Sequence, residues 1–323
     1  MKFGEVPVSA ALGTVLAHSI RLEGVRIGKG KLLDANDIAR LEAAAIEAVT
    51  VARLDEADVA EDAAAARVAQ ALAHRSVVIE DAKTGRANVT SRVAGLCLVD
   101  AAAIHSMNAV HEAVTVATVA PCAVVAAGQV IATVKIIPYA VARDTLDAVV
   151  GSVESHRNVL TVQPFVPRTV GVIFSELPAV PFKGREKAER VLTERLERLG
   201  GRIDHLTDSP HETAALATAI QDLAAGGADL ILLFGASAIV DRGDVIPAAI
   251  EHAGGRISHF GMPVEPGNML LLGRLGNVDV VGLPGCARSP KLNGFDWVLE
   301  RLFAALPLSS EEIASMGVGG LIV

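Results

Sequence analysis

The sequence predicts an α/β protein: a three-layer α/β/α domain with a largely parallel sheet in the C-terminal half, preceded by a mixed α+β, β-rich N-terminal region. Three observations predict it. Short apolar runs at 170–174 and 229–234 read as strands buried on both faces. Charged amphipathic stretches long enough for helices, above all 184–199, alternate with such runs. Earlier in the chain, β-branched runs without helical spacing crowd residues 77–137.

From the start, residues 14–20 (TVLAHSI) read as a short strand and Lys29-Gly30-Lys31 as a turn. A helix is expected over 34–48, with Ile38, Leu41 and Ala45 on its apolar stripe, and a strand over 49–52. The charged stretch 53–62 reads as a boundary, followed by an alanine-rich helix through Ala73. A β module then surrounds one helix near 101–108. Residues 113–134 carry no charge and could span a bilayer by length. Pro121, Gly128, Gln129 and three threonines fit strands broken by a turn at Ala120-Pro121 better. A second boundary falls at Gln163-Pro164-Phe165-Val166-Pro167, where two prolines remove backbone donors and favour an extended linker. The expected regions are therefore 1–75, 76–166 and 167–323.

The C-terminal region is more regular. The helix over 184–199 ends at Gly200-Gly201, a C-cap sequence, and a strand over 202–206 follows. Ser209-Pro210-His211-Glu212 has the form of a capping box with proline at the first helical position, opening a helix to Ala225. The strand at 229–234 runs into Gly235-Ala236-Ser237-Ala238. A helix near 246–253 closes at Gly254-Gly255, and strands are expected at 257–260 and 278–281. A last helix is expected from Pro290 to Ala305. Such alternation implies a parallel sheet, whose ligands sit at the carboxyl ends of strands beside a topological switch point.

Composition narrows the function. Hydrophobic residues are 51% of 323, which supports real cores rather than disorder. Aromatics are 3% and the formal charge is −8, which disfavours both base stacking and a phosphate-backbone footprint, so no nucleic acid partner is expected. Three widely spaced cysteines, Cys97, Cys122 and Cys286, form neither a disulfide framework nor a zinc knuckle and suit a reducing compartment. Cys97 and Cys122 read as small buried hydrophobes. The opening MKFGEVPVSAALG lacks the apolar core of an export signal, so a cytoplasmic location without membrane association is expected. His105 and His111 are six apart, which is not a same-face metal pair, and His111-Glu112 lacks a second histidine.

Three loops fall at the expected strand ends. In 234–247, small residues after a buried strand let an anion approach the backbone, and Asp241 and Asp244 could hold Mg²⁺ against it. Asp244 could equally cap the next helix. In 281–291, Ser289 as N-cap and Pro290 at the first helical position would offer free N–H groups, with Arg288 and Lys291 adding positive charge. The segment 262–268 (MPVEPGN) offers a shaped turn. Asp208 precedes the capping box and alone reads as a solvated carboxylate.

These segments, in this order, resemble the molybdopterin-binding domain shared by molybdopterin molybdenumtransferases, molybdopterin adenylyltransferases and the competence-damage-inducible proteins. Gly235-Ala236-Ser237-Ala238 corresponds to its glycine loop, and 241–247 (DRGDVIP) to its acidic segment. Pro266-Gly267-Asn268-Met269 is similar to the P-G-K-P element, 283–287 (LPGCA) to the L-P-G-N-P turn, and Asp208-Ser209-Pro210 to the D-D-P element. In the N-terminal half, 13–20 and 27–30 resemble the molybdenumtransferase branch up to about Asp55. The chain departs from the pattern at Ala236 and Ala238 (glycines), Asn268 (lysine) and Cys286 (asparagine), and in the loop 175–183, which lacks an acidic D-x-N or D-x-S element. A β-carbon at 236 and 238 narrows the space for a phosphate.

The resemblance implies a molybdenum cofactor protein. Its ligand, molybdopterin or adenylated molybdopterin, would be bound by Gly235, Ala236, Ser237, Ala238, Pro266, Gly267, Asn268, Pro284, Gly285, Cys286, Arg288, Ser289 and Lys291. Asp208, Asp241 and Asp244 would be the catalytic carboxylates of a molybdenumtransferase-like activity, with Asp241 and Asp244 holding Mg²⁺ or molybdate. A second version is a non-catalytic carrier serving a cofactor nucleotidyltransferase or an apo-molybdoenzyme. A third, a nicotinamide-mononucleotide deamidase, shares the fold without its catalytic module. A homo-oligomer is expected from the resemblance.

Overall fold

The computed structural model describes residues 1–178 and 184–322. It forms two compact units, Met1–Gln163 and Pro164–Val323. Residues 1–75 and all of the expected region 76–166 up to Gln163 fall in the first unit. The charged stretch 53–62 is not a linker, because strand Asp58–Ala60 pairs with Ala140–Ala142. The helix Glu61–Gln70 that follows buries Ala64, Ala65, Val68 and Ala69 in the same core as the later strands.

In this unit, Lys2–Pro7, Ala48–Arg53 and Val15–Leu16 form a small sheet. The helix expected over 34–48 covers only Ala35–Ala43. Asp34 and Asp37 form its capping box, and it stops because Ala45 takes a left-handed φ of 55°. Ala45 therefore does not extend the apolar stripe. The uncharged stretch 113–134 falls into strands Val114–Thr118, Ala123–Val125 and the first part of Val130–Ile136. Among the described residues no helix is long and apolar enough to cross a membrane. Cys97 is fully buried, and burial pushes its thiol up to about 11. Cys122 is only half-buried. It sits in the turn with φ 59° and donates its N–H to the Cys97 carbonyl.

The second unit holds a six-stranded sheet: β1 (Thr169–Glu176), β2 (Arg202–Pro210), β3 (Leu230–Phe234), β4 (Arg256–Phe260), β5 (Leu271–Leu275) and β6 (Val278–Leu283). Its order is β2-β1-β3-β6-β5-β4. The pairs β1–β2, β1–β3 and β3–β6 are parallel, and β5 runs against both its neighbours. Side chains alternate between two cores. Val170, Val172, Phe174, Leu230, Leu232 and Phe234 face one; Ile173, Ile231 and Leu233 face the other. Helices α1 (Arg185–Arg198) and α4 (Gly294–Phe303) cover the first face, and α2 (Thr213–Ala225) and α3 (Val245–His252) cover the second. These are the three expected layers.

Three local expectations fail for physical reasons. Ser209 and Pro210 belong to β2, which pairs with β1 as far as Glu176↔Pro210, so the ladder displaces the capping box. The helix α2 starts at Thr213, with Glu212 as an N-cap that makes no side-chain bond. The last long helix begins at Gly294 rather than Pro290. Its capping box is Asn293 with Asp296, and Ser289 instead closes a 3₁₀ turn, Gly285–Arg288. Strand β5 and a short helix α5 (Ser310–Ser315) were not anticipated.

Candidate functional site at the strand ends

From β1 the chain moves outward to β2 and then returns across β1 to β3, so the carboxyl ends of β1 and β3 flank the switch point. The loops after β1, β3 and β6 leave at this edge. Because β5 runs in the opposite direction, the β4–β5 connection lies there too.

Ser175 ties the edge together. It is buried near the end of β1, and its Oγ accepts the Ala236 N–H at 3.0 Å. Its hydroxyl lies 3.2 Å from the Phe234 carbonyl oxygen, to which it donates, and 2.9 Å from His211 Nδ1. Burial lowers the His211 pKa, and the Asp244 carboxylate opposes that effect. A β-carbon on Gly235 would lie 2.6 Å from the Ser237 carbonyl oxygen, so only glycine fits there. Among the described residues no left-handed residue occurs in 235–244. Ala236 and Ala238 therefore cause no backbone strain; they add bulk at a half-buried and an exposed position.

The expected catalytic carboxylates are already engaged. Asp208 lies within β2 and is ion-paired with Arg185, whose guanidinium stacks 4.9 Å from the Phe174 ring. Asp241 accepts the Gly243 N–H at 2.7 Å. Asp244 caps α3: Oδ1 accepts the Val245 N–H at 2.7 Å and Oδ2 the Val240 N–H at 3.3 Å. Among the described residues no three His, Cys, Asp or Glu side chains converge in a metal-holding group. The cap reading of Asp244 is the one observed.

The loop after β6 is held from beneath by a residue the sequence reading passed over. Arg195, on α1, is 3% exposed. Its Nε donates to Asp296 Oδ1 at 2.6 Å, Nη1 to the Ala287 carbonyl at 2.8 Å, and Nη2 to the Ser289 and Lys291 carbonyls at 2.7 and 3.1 Å. One guanidinium thus fixes three carbonyls of the loop that carries Cys286, Arg288, Ser289 and Lys291. The signal for it was present: Ala188, Leu192, Arg195, Leu196 and Leu199 share the apolar stripe, and an arginine in such a stripe requires a buried partner. Arg288 turns to the neighbouring loop and donates from Nη2 to the Gly235 carbonyl at 3.1 Å. Burial lowers its pKa. Burial also raises the half-buried Cys286 thiol. Pro284 is buried, while Gly285 and Lys291 are exposed.

The MPVEPGN turn packs on the start of α4. The Pro266 carbonyl accepts the Gly294 N–H at 2.8 Å, and a β-carbon on Gly267 would fall 2.6 Å from that nitrogen. Asn268 accepts the Met262 N–H through its carbonyl at 2.9 Å. Pro266 and Gly267 are therefore engaged with α4, and Asn268 is exposed. A cavity of about 400 Å³ opens at the ends of β1 and β2, but Glu176, Asp208 and Glu212 line it rather than the expected phosphate loops. Residues 179–183 of the departing loop 175–183 lie outside the described residues.

Residues 173–304 match the family model described as "Probable molybdopterin binding domain". The match lies within the second unit and likens it to the molybdopterin-binding domains of molybdenum cofactor biosynthesis. Residues 5–53 match a domain of unknown function, and no curated protein matches the chain. Among solved structures, the chain is similar to a molybdenum cofactor biosynthesis protein from Pyrococcus furiosus at 14% identity and TM-score 0.27, covering 97% of this chain and 65% of that one. It is also similar to a molybdopterin biosynthesis moea protein from Pyrococcus horikosii at 15% identity and TM-score 0.32, covering 94% and 75%. A MogA structure aligns at 18% identity and TM-score 0.29 with 46% of this chain and 100% of its own. The chain thus spans 65% of the length of the furiosus protein.

Proposed function

We propose that the molybdopterin-binding domain of this chain holds molybdopterin, or its nucleotide form, at the carboxyl edge of the sheet and acts as a carrier in molybdenum cofactor biosynthesis. The observation that carries this reading is the Arg288–Gly235 hydrogen bond, which joins the β6 and β3 loops across adjacent strands. It sets a guanidinium beside a backbone turn that admits no side chain at Gly235. Arg288 and Lys291 supply the positive charge for a phosphate there. Cys286 lies in the same loop, on the path to the MPVEPGN turn. The bound group would supply the dithiolene that ligates molybdenum.

The engaged carboxylates favour a carrier over a molybdenumtransferase. Asp208 is neutralised by Arg185, and Asp241 and Asp244 spend oxygens on their own loop's N–H groups. Delivery to a cofactor nucleotidyltransferase or to an apo-molybdoenzyme is the corresponding partner hypothesis, and self-association remains part of the proposal.

Titration of the purified protein with molybdopterin, followed by its fluorescence, tests binding. Saturable binding is expected, and Arg288→Ala weakens it roughly ten-fold or more through the loss of a charge-assisted contact. Unaltered affinity in that variant, or no binding at all, refutes the site. Incubation with adenylated molybdopterin, Mg²⁺ and molybdate is expected to release no AMP above background; AMP release restores the enzymatic reading.

A further inference from the structure

The opposite edge of the same sheet carries a second cavity of about 640 Å³. It lies below β4, β5 and β6, where β4 and β6 begin, and is closed by the chain that follows α4. Its charges form one transverse row. Arg256 on β4 and Arg274 on β5 are direct cross-strand partners, and Arg274 is in turn the partner of Asp279 on β6. Arg168, just before β1, points to the same place and donates to Asp279 Oδ2 at 2.8 Å. Arg274 Nε is 4.0 Å from the other Asp279 oxygen.

Three guanidiniums therefore gather around a single carboxylate, and two of them pair with it. Like charges directly opposite each other on antiparallel strands are destabilising, so this arrangement works against the fold unless something else supplies negative charge. Arg168 and Arg274 divide Asp279 between them, and the Arg256 guanidinium has no ion pair or hydrogen bond among the described residues. The hydroxyls of Ser258, Ser309 and Ser310 line the same space and can donate to oxyanions. Guanidinium forks match the oxygen spacing of a phosphate.

We propose that this cavity is a binding site for a phosphate-bearing small anion, with Arg256 and Arg274 as its charged ligands and the serine hydroxyls completing the cradle. The site is separate from the strand-end loops: it lies at the other end of the strands and shares none of their residues. It does not depend on the ligand assigned to those loops.

Calorimetric titration with inorganic phosphate, at ionic strength held constant with chloride, tests it. The wild-type chain is expected to bind saturably, and Arg256→Gln and Arg274→Gln each weaken binding roughly ten-fold, the worth of one charge-assisted hydrogen bond. Arg190→Gln, at an exposed position on α1 outside both sites, leaves this binding unchanged. Without phosphate, Arg256→Gln should melt no lower than wild type, because it removes a repelling charge from an exposed position. Absence of saturable binding overturns the proposal. So does binding that survives both cavity variants, or that falls as much with Arg190→Gln.

Discussion

Arg195 and Asp296 form the most buried charged pair of the second unit, with side chains 4% and 3% exposed. Removing one partner from such a pair leaves the other charge in a site that cannot solvate it. Asp296→Ala is therefore expected to cost roughly 3–5 kcal/mol, read as a lower midpoint in denaturant unfolding. Loss of under about 1 kcal/mol would show that the pair does not secure the loop. At this scale the sequence was informative about identity and less so about engagement. Gly235, Asp244 and Arg288 were recognisable from loop position. Ser175 and His211 went unread because their 2.9 Å contact joins positions 36 apart in the chain. Asp208 looked solvated because nothing in its neighbourhood names Arg185, 23 residues earlier, as its partner.

Helix α4 illustrates what an element-level reading can miss. Pro290 offered a helix start, yet the capping box at Asn293 and Asp296 sets the beginning four residues later, and the intervening carbonyls go to Arg195. The strand β2 overran its expected end because pairing with β1 continues to Pro210. In both cases a long-range partner outweighed a plausible local signal. The same helix carries a pH response. Burial, assisted by Asp296 and opposed by Arg301 and Arg198, raises the Glu300 carboxyl from 4.5 to about 7. Between those values the folded chain keeps a proton that the unfolded chain has lost. Stability therefore falls as pH rises through that window and is lowest above it. Glu300→Gln should flatten the slope of unfolding free energy between these pH values. An unchanged slope would locate the proton elsewhere.

Across the whole molecule, alternation of short apolar runs with amphipathic stretches was enough to expect the three layers, since that pattern has few packing solutions. The antiparallel β5 was not expected, because a five-residue strand with Gly273 at its centre resembles a loop. The second unit keeps its own two cores, one on each face of its sheet. Residues 164–323 expressed alone are expected to fold and unfold cooperatively, checked by circular dichroism with heating. A molten, non-cooperative product would show dependence on residues 1–163. The grip of Arg195 on three carbonyls has a further consequence for how such a domain meets its ligand. The loop's shape is set before anything binds, so little conformational entropy remains to be lost on association. The Ala287 and Ser289 amides, which donate to the Pro284 and Cys286 carbonyls, should then exchange slowly with solvent even in the empty protein, and the ligand would enter a preformed mould.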